Sequence, residues 1–309
     1  MKKFLKVLLT VIVTLLVAAG AVGLWAWQAA GKKGAELLTS RQTEGWVSQQ
    51  SDRPAATSGI GVWYLEAPKK TWQMGRLQAS FIDQNTNKTV VLLHGYGQSR
   101  ANMYRFAYFF NQRGYNVLLP DSRGHGKSQG AVTFGYYEKK DLANWCRQIV
   151  QKLGSDQQIV VLGTSMGASV ALQASPLLPK QVKAIVADSP YTTIRSELVY
   201  QAKHNAHLDR RTTDLILNAT DSQLEKKYGF KLADVSCPQA LRKNKIPVLF
   251  IHGLADTFVP VSMTRADYQA DRGPKEIWLA PGAGHTQAFV TDQAAYQQRL
   301  LRFLNKYLQ

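Results

Sequence analysis

The feature that most constrains this chain is a buried strand that becomes a helix with almost nothing between them. Gln158–Leu162, QIVVL, reads as the strand, and Met166–Ala174, MGASVALQA, reads as a small-residue helix stopped by Pro176. Only Gly163, Thr164 and Ser165 separate the two. Such a turn forces its apical residue into a strained backbone conformation, and only small neighbours let the two elements approach so closely. Gly163 and Gly167 are those neighbours, so Ser165 is expected at the apex of a sharp turn on a strand end.

The rest of the chain repeats the alternation. Strands are expected at Ile60–Leu65, Leu77–Ile82, Thr89–Leu93, Asn116–Leu119, Gln158–Leu162, Val182–Ala187, Val248–Ile251 and Glu276–Leu279. Helical periods fill Ala101–Gln112, Tyr137–Leu153, Met166–Ala174 and Asp292–Leu308, with Gly114 and Gly154 closing the first two. Continuous apolar runs such as VVLL and PVLFI suit strands covered on both faces. The fold class is therefore α/β, with an open, doubly wound, mostly parallel sheet of eight strands. A chain of 309 residues with 45% hydrophobic content can bury one large core. Residues 59–309 form that domain, and the interval from about 191 to 245 interrupts it. Polar and mostly helical in pattern, this interval predicts a short helical cap inserted between two late strands, over the sheet edge where ligands bind.

Residues 1–31 differ in kind. From Val7 to Gly31 there is no charged side chain, and at about 1.5 Å per helical residue the run is long enough to cross a hydrocarbon core of about 30 Å. Lys2, Lys3 and Lys6 precede it, Trp25 and Trp27 stand where interfacial aromatics are expected, and Lys32 and Lys33 follow. An uncleaved transmembrane anchor is the expectation. The alternative is a cleaved secretory signal with Ala19-Gly20-Ala21 as its small-residue site, but the apolar run continues past Ala21 and ends in bulky tryptophans. By analogy with signal anchors that have short basic tails, the catalytic domain is placed outside the cell membrane. Residues 32–58, polar and mixed, read as a juxtamembrane spacer. The net charge of +17 suits an acidic membrane surface better than nucleic acid, because the cations are scattered and not interleaved with aromatics. Cys146 and Cys237 read as buried thiols, with a single bridge between them as the alternative.

Chemistry gathers at strand ends. Gly163-Thr164-Ser165-Met166-Gly167 has the G-x-S-x-G form of a nucleophile elbow in the strand-to-helix context it requires. His94-Gly95-Tyr96-Gly97 follows the strand TVVLL, a position that can supply one amide to a developing oxyanion, and Met166, next after the serine, can supply a second. His252-Gly253-Leu254-Ala255-Asp256 follows PVLFI, and His285 follows the strand EIWLA through Pro281-Gly282-Ala283-Gly284. His94 and His252 read as strand-end residues buried for packing, His204 and His207 belong to the cap and His125 to a separate loop. His285 is thus the expected general base. Two acids, Asp256 and Asp188, compete to orient it. The histidines lack paired ligand spacing, acids do not cluster as in calcium loops, and no phosphate-binding glycine string occurs, so neither metal nor cofactor is expected.

The strings HGYGQS, DSRGHGKSQG, GTSMGA, DSPY, HGLADTFVP and GAGH resemble, in order, those of bacterial α/β-hydrolase family proteins. The likeness is strongest to serine aminopeptidase S33-like hydrolases and their membrane-anchored relatives, and it covers roughly residues 60 to 309. It implies a catalytic triad of Ser165, Asp256 and His285, an oxyanion hole of Tyr96 and Met166, and structural roles for Arg123 and His125. Its members include esterases, thioesterases, lipases and peptidases. The expected function is serine hydrolysis of carboxylic esters or thioesters. Because apolar positions in the cap stand singly among charges, short or polar acyl groups are expected. The alternatives are a peptidase acting on short peptides and a non-catalytic membrane-tethered binding module.

Overall fold

The computed structural model describes residues 59–308 and a few helical positions between Ala26 and Glu36. Most of the expected anchor and spacer lie outside the described residues. Among the described residues no helix is long and apolar enough to cross a membrane.

Eight strands form one sheet: β1 (Lys70–Met74), β2 (Leu77–Ile82), β3 (Lys88–Leu93), β4 (Asn116–Pro120), β5 (Gln158–Thr164), β6 (Val182–Asp188), β7 (Val248–Gly253) and β8 (Lys275–Ala280). Their order is β1-β2-β4-β3-β5-β6-β7-β8. β1 pairs antiparallel with β2, and β2 with β4, while β4 onwards all pairs are parallel. The chain leaves β3 to one side for β4 and returns to the other side for β5. That reversal is where open α/β sheets open a crevice at their carboxyl edge, and Leu93 at the end of β3 pairs there with Gly163.

One sequence expectation is corrected. Ile60–Leu65 was expected as a strand, and the segment Gly59–Glu66 is instead helix α1. A short all-apolar run carries no usable period, and partners decide it: Trp63 meets Tyr108 edge-on at 5.1 Å and Tyr64 meets Tyr104 at 6.3 Å. The eighth strand is β1, whose sequence KTWQM buries only Trp72 and so gives little apolar signal. Trp72 stacks on Phe81 of β2 at 4.4 Å.

Helices cover both faces of the sheet. On one face α1, α2 (Tyr104–Asn111) and α10 (Gln293–Tyr307) pack Phe106, Phe109, Tyr296 and Phe303 onto Val90, Leu162, Val186 and Ile251. Each such aromatic contributes roughly 1.5–3 kcal/mol by leaving water. On the other lie α3 (Glu138–Leu153), α4 (Met166–Ala174), α7 (Cys237–Leu241) and α8 (Val261–Ala270). Cys146 and Cys237 are both buried free thiols.

Between β6 and β7 the chain forms α5 (Ile194–His204), α6 (Arg210–Tyr228) and α7. Leu198–Leu232 belongs to a compact unit separate from the sheet. Asp209 caps α6 by accepting from the Thr212 amide at 3.0 Å, and Gly229, at φ 72°, ends it in the left-handed conformation. Leu198 and Ala202 share a groove of about 440 Å³ with Ile216 and Leu217, which belong to the consecutive apolar run Leu215-Ile216-Leu217 and so do not stand singly, as the apolar positions of the cap were expected to.

The sheet unit also buries a carboxyl group without hydrogen-bond partners among the described residues, that of Asp267 on α8, at both of its oxygens. Burial, reinforced by the neighbouring Asp271 carboxylate, pushes the Asp267 pKa well above the usual range. A raised carboxylate pKa means the folded state holds the proton more tightly, so this contribution to stability is present below about pH 4 and is lost as pH rises towards the folded value. Asp267→Asn removes the titration. We expect the variant to melt about 2 °C or more above the wild type at pH 8 and level with it at pH 4, in paired thermal unfolding curves. Equal melting temperatures at both pH values would contradict this account.

Candidate active site

The residues singled out in the sequence lie on turns leaving the carboxyl ends of β3, β5, β7 and β8. Ser165 joins β5 to α4 at φ 52° and ψ −118°, a conformation that L-residues rarely adopt. Two contacts explain why no larger neighbours are tolerated. A Cβ on Gly163 would lie 2.3 Å from the Gly167 carbonyl carbon, and one on Gly167 would lie 2.3 Å from the Leu93 carbonyl oxygen. The Ser165 amide donates to the Asp188 carbonyl at 2.8 Å, and the Ser165 carbonyl accepts from Ser169 at 3.0 Å, so the strained turn is clamped on both sides.

His285 reaches this serine from the loop after β8. Its Nε2 lies 2.9 Å from Ser165 Oγ, and its Nδ1 lies 2.7 Å from Asp256 Oδ2. The carboxylate on Nδ1 places the ring proton there and leaves the Nε2 lone pair facing the hydroxyl. The approach of the two loops depends on Gly253 at the end of β7, where a Cβ would lie 2.2 Å from the Ala283 carbonyl oxygen. The Phe258 ring stands 4.9 Å from the His285 ring.

Asp256 is the better held of the two candidate acids. Its Oδ1 accepts the amides of Phe258 and Val259 at 2.9 Å each, and its Oδ2 receives His285 and, at 3.0 Å, His252 Nε2. Burial alone would raise its pKa, but the hydrogen bonds from His252 and His285 outweigh burial and hold the carboxyl well below the usual range. Asp188, at the end of β6, instead accepts the hydroxyls of Ser189 and Tyr296 at 3.1 Å each and has no contact with a ring nitrogen of His285. Burial raises its pKa to about 6 against the lowering effect of those hydroxyls.

Three histidines expected only to pack or to hold a loop do more. His252 Nε2 lies 3.0 Å from Asp256 Oδ2 and 2.9 Å from the Val259 carbonyl, and its Nδ1 faces the Thr264 hydroxyl at 2.6 Å, so the ring steadies the carboxylate. His94 accepts the Ser122 amide at 3.0 Å and bonds the Gly95 carbonyl at 2.8 Å. His125 accepts the Gly97 amide at 3.1 Å, and burial drives its pKa down to about 3. The last two thus brace the loop Gly95–Gly97 from either end. The only sequence signal for His252 is its spacing of four residues from Asp256 at one strand end.

The two expected amide donors flank the serine. A Cβ on Gly95 would lie 3.4 Å from Ser165 Cβ, so the loop carrying Tyr96 lies against the nucleophile position. Met166 is the first residue of α4, where a backbone N–H has no acceptor within the helix. Arg123 pairs in two-pronged fashion with Asp141 at 2.7 Å per bond, away from this cluster. Among the described residues no group of three or more His, Cys, Asp or Glu side chains could hold a metal ion.

A model of the α/β-hydrolase fold matches residues 88–232. YqkD of Bacillus subtilis is 30% identical over 223 residues, which cover 72% of this chain and 72% of that protein. YfhR of Escherichia coli strain K12 is 24% identical over 262 residues, covering 80% of this chain and 82% of its own. Among solved structures an esterase from Pyrococcus furiosus superposes with a TM-score of 0.65 at 26% identity, covering 80% of this chain and 94% of the esterase. Strand order, elbow and relatives agree, and the chain belongs to the α/β-hydrolase family.

Proposed function

We propose that this protein hydrolyses carboxylic esters or thioesters through an acyl-enzyme on Ser165. The observation that carries the reading is the unbroken hydrogen-bond chain from Asp256 through His285 to Ser165, at 2.7 and 2.9 Å. Ser165 Oγ attacks the substrate carbonyl while His285 Nε2 takes its proton, and Asp256 stabilises the imidazolium. The oxyanion that forms is received by the Tyr96 and Met166 amides, each worth a few kcal/mol in a water-poor site. Collapse expels the alcohol or thiol with the proton held on His285, and water, activated by the same ring, then releases the acid and frees Ser165. The similarity to an esterase supports the bond type.

Ser165→Ala and His285→Ala should each lower kcat by about a thousandfold or more towards 4-nitrophenyl acetate, with the melting temperature retained. Asp256→Asn should cost about two to four orders of magnitude, and Asp188→Asn much less. A larger loss at Asp188 would reverse the assignment of the acid.

Acyl size is read from a small cavity lined by Thr164 and Thr286, the chain neighbours of Ser165 and His285, with a volume of about 40 Å³. One water occupies roughly 10–15 Å³ by that measure, so an acetyl-sized group fits within it and a longer acyl chain would have to extend beyond it. Rates on 4-nitrophenyl esters of rising length test this reading. We expect the maximum between acetyl and butyryl, and a maximum at ten carbons or more would overturn it.

The N-terminal apolar run and its interfacial tryptophans support a single-pass anchor, and because lysines flank both of its ends alike, the analogy with signal anchors that have short basic tails is what supports a catalytic domain outside. The full chain should stay with membranes through carbonate extraction and lose its catalytic domain to protease added to intact cells. Recovery of a mature protein beginning at Val22 would show cleavage after the small-residue site.

A further inference from the structure

The small cavity lined by Thr164 and Thr286 does not stand alone. Arg105, Phe289 and Val290 line both it and a larger pocket of about 520 Å³, so the two adjoin through shared walls. The larger pocket is lined by Arg105 and Arg113 together with three glutamines, and among the described residues neither cavity has an acidic side chain in its lining. No carboxylate among the described residues forms an ion pair with either arginine. Arg113 is fixed by a bond from Nη1 to the Phe109 carbonyl at 2.9 Å, with its guanidinium 3.9 Å from the Phe109 ring centre.

A second observation points the same way. Asn102 lines the small cavity and spends its Oδ1 on the Ser99 amide at 2.9 Å, while its Nδ2 is buried without a partner. A buried amide donor left unpaired costs about 1–3 kcal/mol, so a molecule that satisfies it recovers that much. The charged and unpaired groups among the described lining residues are therefore donors: Asn102 Nδ2 and Arg105 in the smaller cavity, Arg105 and Arg113 in the larger. Such a set selects acceptor oxygens and an anion, and guanidinium groups match a carboxylate in two-pronged geometry.

We propose that this groove binds the anionic end of the substrate, and that the natural substrate is an ester bearing a carboxylate. The inference rests on the reading of Ser165 as an ester-cleaving nucleophile and adds the substrate class. It is tested on the full-length protein with two charge-matched pairs. Mono-4-nitrophenyl glutarate against methyl 4-nitrophenyl glutarate puts the anion on the acyl side, and 4-acetoxybenzoate against its methyl ester puts it on the alcohol side. In one pair the charged member should have a kcat/KM at least tenfold higher, with the preference shrinking as salt is added. In Arg105→Gln/Arg113→Gln the ratio should fall to within twofold of one, and in Lys183→Gln, a cation at the opposite edge of the sheet, it should stay. No preference in either pair, or a preference that survives the double substitution, overturns the proposal. Calorimetry with glutarate on the Ser165→Ala chain separates the two readings. Binding that weakens at least tenfold in the added arginine substitutions upholds the pocket even if no ester is turned over, and no binding sinks it whatever the esterase result.

Discussion

The site depends on one close approach, that of α4 to the end of β3 beneath the Ser165 turn. With Gly167 against the Leu93 carbonyl and Gly163 against Gly167 itself, there is no room for a methyl group at either position. The positive φ of Ser165 follows from that closeness, because the chain must reverse direction within one residue. Strain of this kind costs about 1–3 kcal/mol and persists only where the surroundings over-determine it. Here the Asp188 carbonyl and the Ser169 amide hold the turn, and β3, β5 and β6 hold those in register. The hydroxyl therefore meets His285 without a rearrangement of the backbone.

Electrostatics then distinguish two aspartates with the same chemistry. Asp256 and Asp188 leave strands β7 and β6, which are adjacent in the sheet, and both are buried. Four N–H donors surround Asp256, so its charge persists through the whole neutral and mildly acid range. Asp188 has two hydroxyls, and with its pKa raised to about 6 it is partly protonated in mild acid. A carboxyl that gains a proton cannot stabilise an imidazolium, so only Asp256 suits that task over the range in which a histidine base works. The His252 ring matters because it adds a hydrogen-bond partner, from a strand end, to the carboxylate oxygen that also receives His285 Nδ1.

How much of this was legible in the sequence follows from how local each signal is. The Ser165 turn is written in consecutive residues, and the loops bearing Asp256 and His285 each begin at an apolar strand end, so all three were readable. The choice between Asp188 and Asp256 was not, until a family resemblance was added, because it turns on amides and rings that come from other loops. Gly59–Glu66 and Lys70–Met74 misled for opposite reasons. The first is apolar all round and takes its helical form from packing on α2, whereas the second is a polar edge strand that buries one tryptophan. The groove in Leu198–Leu232 was missed because Leu198 and Ala202 meet Ile216 and Leu217 only across two helices, although the run Leu215-Ile216-Leu217 is itself contiguous and apolar in the sequence.

The same reasoning bears on why the basic excess of this chain need not be spent on membranes alone. Surface cations scattered among acids are screened within about 8 Å at physiological salt and select little. Arg105 and Arg113 differ because, among the described residues, their pocket has no acidic lining, and it shares walls with the small cavity lined by Thr164 and Thr286. A carboxylate there would be attracted before reaction and equally after it, since hydrolysis leaves that charge untouched. Binding of this uniform kind lowers KM without raising kcat. On this proposal Arg105 and Arg113 would act on selection among substrates, and the chemical step would be left to Ser165, His285 and Asp256. The two cavities share Arg105, Phe289 and Val290, and none of these three takes part in the hydrogen-bond chain from Asp256 through His285 to Ser165.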